Sequence, residues 1–439
     1  MTTYFARHAL LPTGPATDVT FEVTDGRFTA ITAGTRPEPG TTPLPGVVLP
    51  GLANCHSHAF HRALRGRTHA GGGTFWTWRE GMYAVAAALD PDSYLELARA
   101  TYAEMALAGI TCVGEFHYLH HAPGGARYAD PNAMGAALIQ AAADAGIRLT
   151  LLDTCYLAGG LGPDGHAALG PEQLRFGDGT GPDWAARVTL LGETDAVRIG
   201  AAVHSVRAVP RDALPVVAAA AAGRPLHVHL SEQPAENDAA RAYYGRTPTE
   251  LLDEAGVLGP LTSAVHATHL TGSDIATLGR TGTVSCFCPT TERDLADGIG
   301  PARALLDAGS GLSLGSDQHA VIDLIEEARA LEMHERLATR RRGRFSPAEL
   351  LTAATRHDTL GWTDAGALAV GRRADLVAVR LDTPRTAGAD PAQILLAATA
   401  GDVDTVIVDG RTVVTGGQHR LGDVGDLLHK AIEPLWSHP

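Results

Sequence analysis

Eight short apolar segments, most of them separated by helical patterns, limit what the middle of this chain can fold into. They are rich in Val, Ile, Leu and Thr, as strands that are buried on both faces should be. Strands that alternate with helices predict a (β/α)8 barrel rather than an open doubly wound sheet, because no Gly-x-Gly-x-x-Gly motif opens the first helix. The predicted strands are residues 47–52, 111–116, 148–155, 198–203, 226–230, 263–268, 283–288 and 311–314.

Helical patterns lie between most of these strands. One is predicted to begin at Asp90-Pro91, which is a good pair for a helix cap and first position, and to stop at Gly109. The other helical segments lie near residues 132–145, 211–222, 249–255, 301–308 and 323–337.

The two ends of the chain differ from its middle, since both show short strands and turns. We predict one small β-sandwich domain built from residues 1–46 and 364–439, beside a catalytic barrel formed by residues 47–363. A tight turn is expected at Asp409-Gly410. Strands of this second domain are predicted at residues 19–23, 374–380, 405–408 and 412–414.

The composition limits the partners. The chain has 439 residues, of which 45% are hydrophobic, and a net charge of −14, so nucleic acid is not an expected partner. An anionic small molecule would need local cations in its site. We expect no signal peptide and no membrane span. Five cysteines without a paired framework indicate a reducing cytoplasm.

Histidines and carboxylates follow several predicted strands. Alternate residues of an extended strand point the same way, so His56 and His58 can reach one metal ion. A barrel collects the carboxyl ends of its strands at one face, where the Gly- and Pro-rich loop 159–170 is also expected. The pattern therefore predicts a metal site at that face. The other polar residues at strand ends are His204, Arg207, His229, Glu232, His266 and Asp317.

Three motifs and the tail of the chain resemble the amidohydrolase superfamily. They are Pro50 to His58, His227 to Glu232, Ser316-Asp317 and Gly366 to Val377. The resemblance covers nearly the whole chain and implies a barrel with a C-terminal sandwich. It is closest to the deaminase branch that uses one metal, because no lysine follows the third or fourth strand where a carbamate could bridge two metals.

Further strings are similar to the formimidoylglutamate deiminase family of histidine degradation. The resemblance implies a homodimer that converts N-formimidoyl-L-glutamate and water to N-formyl-L-glutamate and ammonia. The chain has His61 where the first motif of that family carries Gln, so the resemblance does not fix the role of His61. The strings are residues 56–63, 75–80, 115–121, 204–207 and 265–269.

The residues can be assigned roles on this basis. We expect one Zn²⁺ per chain, and Fe²⁺ and Mn²⁺ bind similar sites. Asp317 and His266 would orient and deprotonate a water, and the resemblance makes Glu232 the proton carrier. Arg79 and Arg207 could each grip a carboxylate. The expected metal ligands are His56, His58, His229 and Asp317, and the expected substrate contacts are Arg79, Tyr118, His204, Arg207 and His61.

Two other hypotheses remain at this point. A deaminase of a nucleobase or an adenosyl compound would share the metal and Glu232 but would not need two arginines. A catalytically dead barrel that serves as a scaffold would lose its ligands, whereas this chain retains all four of them.

Overall fold

The computed structural model describes residues 1–70, 73 and 75–436. From the motif at residues 75–80, the side chains of Phe75 and Trp76 lie outside the described part. Among the residues described, no helix is long and apolar enough to cross a bilayer.

Strands and helices alternate through the middle of the chain. The strands are β1 Thr2–Leu11, β2 Gly14–Thr24, β3 Arg27–Thr32, β4 Thr42–Pro50, β5 Leu52–Ser57, β6 Ile110–His117, β7 Arg148–Cys155, β8 Gly160–Gly162, β9 Gly165–Ala167, β10 Val197–Val203, β11 Leu226–Leu230, β12 Thr262–His266, β13 Val284–Phe287, β14 Leu312–Leu314, β15 Leu376–Val379, β16 Val403–Val408, β17 Arg411–Thr415 and β18 Gln418–His419. The α-helices are α1 Phe75–Ala88, α2 Pro91–Leu107, α3 Ala133–Ala145, α4 Gly181–Val188, α5 Leu214–Ala220, α6 Pro234–Tyr244, α7 Pro248–Glu254, α8 Gly272–Thr281, α9 Pro289–Asp294, α10 Ala302–Ala308, α11 Leu324–Thr339, α12 Pro347–Ala354 and α13 Val424–Trp436. Short 3-10 helices include Ala59–Leu64, Pro171–Phe176 and His357–Leu360.

The predicted barrel is confirmed. Eight parallel strands pair in the order β14-β13-β12-β11-β10-β7-β6-β5, and a parallel bridge between Ser57 and Asp317 brings the two edges of the sheet together. The strands are almost wholly buried, as their apolar composition requires.

The first predicted strand, residues 47–52, was wrong in its bounds and its partners. The structure divides this segment at Pro50-Gly51: β4 joins the other sheet, and β5 is the first barrel strand. Apolar residues stand on both sides of Pro50-Gly51, and residues 47–50 and β5 are all buried, so the apolar pattern does not tell which sheet each half enters. Gly51 has no room for a side chain, because a Cβ there would lie 2.3 Å from the Thr111 hydroxyl.

A second sheet is built from both chain ends, as predicted. Its strand order is β18-β17-β16-β15-β4-β1-β2-β3, in which β15 pairs antiparallel with β4. The turn at Asp409-Gly410 joins β16 to β17 with φ of 48° and 73°, the positive values that a tight hairpin turn needs. The loop at 159–170 contains the small hairpin of β8 and β9.

Local signals account for where α2 begins and ends. The side chain of Asp90 accepts a hydrogen bond from the Ser93 backbone N–H at 2.8 Å, and Pro91 occupies the first helical position. The helix ends at Leu107, two residues before Gly109, whose φ of 86° suits glycine.

Candidate active site

A cavity of about 370 Å³ opens at the carboxyl end of the barrel strands. Ten of the predicted site residues line it, and the eleventh, His56, is fully buried directly behind its floor. The ten are His58, His61, Arg79, Tyr118, His204, Arg207, His229, Glu232, His266 and Asp317. The structure thus brings all the residues of the predicted constellation to one place.

Imidazole and carboxylate groups converge on the floor of this cavity. Asp317 Oδ1 lies 3.2 Å from His56 Nε2 and 3.3 Å from His58 Nε2, and His56 Nε2 is 3.1 Å from His229 Nε2. Two overlapping groups offer ligand atoms within 4.8 Å of one another: His56, His229, His266 and Asp317, and His58, His61 and Asp317. Asp317 belongs to both groups.

The hydrogen bonds of these imidazoles indicate which ring nitrogen carries the proton and which one is free to bind a metal. His58 Nδ1 lies 2.9 Å from the Phe116 carbonyl oxygen, and His229 Nδ1 lies 2.8 Å from that of His204. A carbonyl only accepts, so each Nδ1 carries the proton and each Nε2 presents a lone pair to the floor. Converging lone pairs beside a carboxylate fit a divalent cation, and the donor set of nitrogen and oxygen suits Zn²⁺.

Burial keeps these histidines neutral at ordinary pH. It lowers the pKa of His56 to about 3 and lowers the pKa of His58 and His229 as well. For Asp317, burial favours the neutral acid, but the hydrogen bond with His56 and the nearby imidazoles outweigh it and lower the pKa. The site therefore presents neutral imidazoles and an ionised carboxylate, the protonation states that metal ligation requires.

Several residues that shape this end of the barrel hold unusual backbone angles. Asp317 has φ of 43° and His266 has φ of 69°, in the left-handed region that non-glycine residues rarely adopt. Gly315 allows the Asp317 loop to approach the first strand, since a Cβ there would lie 2.7 Å from the His56 Cβ. Such strain is typical of sites where surrounding contacts fix a functional geometry.

Glu232 lies on the cavity wall beside two partners. Its Oε2 is 3.3 Å from Arg207 Nη2, and its Oε1 is 3.8 Å from His266 Nε2. Arg207 also pairs with buried Glu236, at 3.0 Å from its Nε. The charge of Arg207 is thus opposed by two carboxylates, and although burial lowers its pKa, Glu236 and Glu232 raise it overall.

Acidic groups surround His266. Its Nε2 is 3.9 Å from Asp317 Oδ2, and its Nδ1 is 3.6 Å from Glu292 Oε1. Burial opposes its charged form, but Glu232, Glu292 and Asp317 together raise the pKa of His266 well above the ordinary value. The three carboxylates therefore favour the protonated form of the His266 imidazole.

The upper wall carries the predicted substrate contacts. Tyr118 Oη is 2.9 Å from His61 Nε2, and the Arg79 Nε–H donates to Tyr83 Oη at 2.8 Å. His204 Nδ1 lies 3.2 Å from Ser205 Oγ, with its ring against that of Tyr156. These groups pair among themselves above the metal-type floor.

Other histidines of the sequence motifs lie away from the cavity. His117 and His120 form a buried group with Asp153, whose carboxylate accepts two hydrogen bonds from Arg187. His227, two residues before His229 on the same strand, lies within 3.5 Å of the Thr359 carbonyl oxygen. None of these three histidines is among the described residues that line the cavity.

Sequence reasoning missed several residues of the site, and four of them carry polar groups that bear on its chemistry. Glu236 and Glu292 pair with predicted site residues, and Tyr83 and Tyr156 line the cavity. Glu236 lies in the first turn of the helix that follows the His229 strand, and this place at the carboxyl end of a barrel strand was a signal for the site. The other three depend on how separate segments meet.

Comparison with known proteins agrees with this geometry. The amidohydrolase family model matches residues 47–413, and the model described as formimidoylglutamate deiminase HutF, N-terminal domain, matches residues 1–43. The chain therefore belongs to the amidohydrolase family, which confirms the resemblance found in its motifs.

Particular relatives narrow the comparison. A formimidoylglutamate deiminase of Pseudomonas aeruginosa is 38% identical over 436 residues, which covers 95% of this chain and 96% of that protein. An 8-oxoguanine deaminase of the same organism is 33% identical over 402 residues, covering 88% and 86%. A crystal structure of an amidohydrolase from Brucella melitensis superposes with a TM-score of 0.92 at 32% identity over the whole of both chains.

Proposed function

We propose that this protein is a metal-dependent hydrolase that converts N-formimidoyl-L-glutamate and water to N-formyl-L-glutamate and ammonia. The observation that carries the proposal is one cavity in which a cluster of metal-type ligands, Glu232 and two arginines stand together. The 38% identity to a formimidoylglutamate deiminase over almost the full length supports the choice of substrate.

The proposed metal ligands are His56, His58, His229 and Asp317, with Zn²⁺ as the expected ion. A divalent cation bound there supplies Lewis acidity, which makes a water more acidic and so a better nucleophile at neutral pH. The backbone carbonyls that accept from His58 and His229 fix the orientation of both rings.

The protein's own groups move the protons. Asp317 accepts a proton from the attacking water, and His266 donates a hydrogen bond that orients this water. A C–O bond then forms at the amidine carbon. The water brings two protons: one passes to Asp317, and the other stays on the hydroxyl group of the tetrahedral adduct. Glu232 carries both in turn to the terminal nitrogen, so that the C–N bond breaks, ammonia leaves and the formyl C=O forms, with both carboxylates ionised again. Glu232 suits this role because it lies on the cavity wall with 8% of its surface exposed, within 3.8 Å of His266.

The upper wall would recognise the glutamate part of the substrate. Arg79 and Arg207 can each bind a carboxylate in a bidentate way, and Tyr118 and His204 can add hydrogen bonds. His61 is proposed to act through Tyr118, to whose hydroxyl it lies 2.9 Å away. The substrate would bring the carboxylates that these arginines favour.

A nucleobase deaminase is the second candidate, because an 8-oxoguanine deaminase is 33% identical over 88% of this chain. It would use the same floor and Glu232, but its substrate would bring no carboxylate to Arg79 and Arg207. Ammonia release from purified, Zn²⁺-loaded protein with N-formimidoyl-L-glutamate, 8-oxoguanine, guanine and cytosine separates the candidates. Release from the first substrate alone supports the proposal, and release from a base alone overturns it.

We also propose a cytoplasmic location, a homodimer, and a division into a barrel of residues 47–363 and a second domain of residues 1–46 and 364–439. The five cysteines are buried without disulfides, which fits a reducing compartment. The two sheets, one from the middle of the chain and one from its ends, support the division except at residues 47–50, which lie in β4 of the second sheet.

A further inference from the structure

Behind His58 and Asp317 lies a buried polar network that joins the two segments on which these proposed metal ligands stand. We call it the ligand-loop network. Each of its side chains belongs to a residue with none of its surface exposed, and none of these residues is among the described ones that line the cavity. The network consists of Asn54, Ser57, Glu115, Ser316 and His319.

The hydrogen bonds of the ligand-loop network fit together in one order when Glu115 is ionised. A carboxylate only accepts, so the Ser57 hydroxyl donates to Glu115 Oε2 at 2.6 Å and is left to accept from His319 Nε2 at 3.3 Å. His319 Nδ1 then accepts from the Ser316 hydroxyl at 2.9 Å. The Ser316 oxygen in turn accepts from the Asn54 amide at 2.7 Å. Every donor in this chain has an acceptor.

The network holds both sides of the His58 loop. Ser57 lies between His56 and His58, so its side chain faces away from the floor that they approach. Glu115 Oε1 also accepts the Ala59 backbone N–H at 2.6 Å. The two oxygens of one carboxylate therefore hold the residue before His58 and the residue after it.

The same network holds the Asp317 loop. The Ser316 N–H donates to Asn54 Oδ1 at 3.0 Å, and the His319 N–H donates to the Ser316 carbonyl oxygen at 2.7 Å. Asp317 and His319 both adopt positive φ, of 43° and 62°. A loop with two such residues needs surrounding contacts to keep its geometry.

We propose that Glu115 and His319 are positioning residues of the catalytic centre: through Ser57 and Ser316 they set the distance between His58 and Asp317. The inference rests on the proposed metal centre, whose ligands these are. Buried polar partners of metal ligands affect affinity because they fix the ligands in place before the ion binds. The loss of one link leaves a buried donor or acceptor unpaired, and the loop can relieve this only by moving.

Glu115→Gln is the most direct variant, because it keeps the size of the side chain. Its amide supplies one acceptor in place of two, so either Ser57 or Ala59 loses its partner. The Gln amide could donate to Ser57 only if every hydrogen bond along the network reversed its direction. The Ser316 hydroxyl hydrogen would then point at the Asn54 amide hydrogens, which are donors themselves. Ser57→Ala removes the hydroxyl that joins Glu115 to His319. In His319→Asn, the shorter side chain cannot reach Ser57, but asparagine tolerates the positive φ of this position.

The matched control is Glu332→Gln. Glu332 is also a fully buried carboxylate, but it lies on α11 and accepts the backbone N–H groups of Gly343, Arg344 and Phe345. Its loss should lower the melting temperature and leave metal binding unchanged. The comparison separates the general cost of losing a buried carboxylate from an effect on the ligands.

The experiment measures Zn²⁺ affinity by competition with a chelator, and the visible absorption of Co²⁺-loaded protein, for wild type and all four variants. We expect Glu115→Gln and Ser57→Ala to bind Zn²⁺ about 10 to 100 times more weakly and to change the Co²⁺ spectrum. Adding Glu115→Gln to Ser57→Ala should weaken binding little further, because both break the same link. With N-formimidoyl-L-glutamate, kcat should fall while KM stays within about twofold.

Wild-type affinity and an unchanged Co²⁺ spectrum in Glu115→Gln, Ser57→Ala and His319→Asn would overturn the inference. The metal readouts do not depend on the identity of the substrate. If the wild-type protein binds Co²⁺ and the variants change its Co²⁺ spectrum, the inference is supported. This holds even if the wild-type protein releases no ammonia from N-formimidoyl-L-glutamate. The absence of ammonia release would contradict only the proposed function.

Discussion

The floor and the upper wall of the cavity are built in different ways. The floor side chains stand on strand ends, and the rings of His58 and His229 are fixed by backbone carbonyls. The wall side chains pair with one another instead, as Tyr118 does with His61 and Arg79 with Tyr83. A floor fixed by the barrel suits chemistry that the whole family shares, and a wall of exchangeable pairs suits the choice of substrate.

Arg207 stands at the border of these two regions. It faces the substrate cavity, but it also pairs with Glu232 and Glu236. A change there should therefore affect recognition and proton transfer together, whereas a change of Arg79 should affect recognition alone.

The largest effect is expected at the floor. Asp317→Ala removes a proposed ligand together with the group that accepts the proton, so metal content and turnover should both fall to background. Metal analysis by mass spectrometry and ammonia release check this. His227→Gln is the control, because His227 is a buried histidine of the same barrel that faces Thr359. An Asp317→Ala protein that keeps its metal would contradict the proposed ligand set.

Glu232→Gln should separate metal binding from proton transfer. The amide keeps the shape but cannot deliver a proton, so kcat should fall at least about a hundredfold while metal content stays at the wild-type level. Glu236→Gln, which changes the other carboxylate on Arg207, should cost much less. If the Glu232→Gln protein turned over at the wild-type rate, its role as proton carrier would be wrong.

The two arginines should differ in which kinetic constant they change. Arg207→Ala should lower kcat/KM for N-formimidoyl-L-glutamate by about 10 to 100 times, with both constants affected, because Glu232 loses a partner. Arg79→Ala should raise KM with little change in kcat. Steady-state kinetics of both variants checks the contrast. Unchanged KM in both would remove the argument for a dicarboxylate substrate.

The smallest effect is expected at His61, where the chain departs from the family motif. His61→Gln keeps a hydrogen-bonding group toward the Tyr118 hydroxyl, now 2.9 Å from the imidazole nitrogen. We expect kcat/KM within about threefold of wild type. A loss of a hundredfold or more would show that the imidazole itself takes part in the reaction.

The sequence predicted the floor better than the wall, for a physical reason. Period and composition located the strands of residues 148–155 and 226–230 with the bounds that the structure has. In a barrel, the end of a strand then determines where the next side chains lie, so the convergence of the histidines followed from spacing alone.

Pairings between distant segments could not be predicted in this way. Residues 47–50 and β5 are both fully buried, and only the structure shows that they belong to different sheets. Glu292 meets His266 because α9, which follows the seventh barrel strand, packs beside the end of the sixth strand. The pairing of Arg207 with two glutamates likewise depends on packing between elements, which no local pattern encodes.

The most direct test of the account is product analysis in ¹⁸O-labelled water with N-formimidoyl-L-glutamate and Zn²⁺-loaded protein. The account predicts ammonia and N-formyl-L-glutamate with one ¹⁸O atom in the formyl group, since water attacks the amidine carbon and the terminal nitrogen leaves. Formamide and glutamate would contradict it, because they would show that the other C–N bond of the amidine breaks.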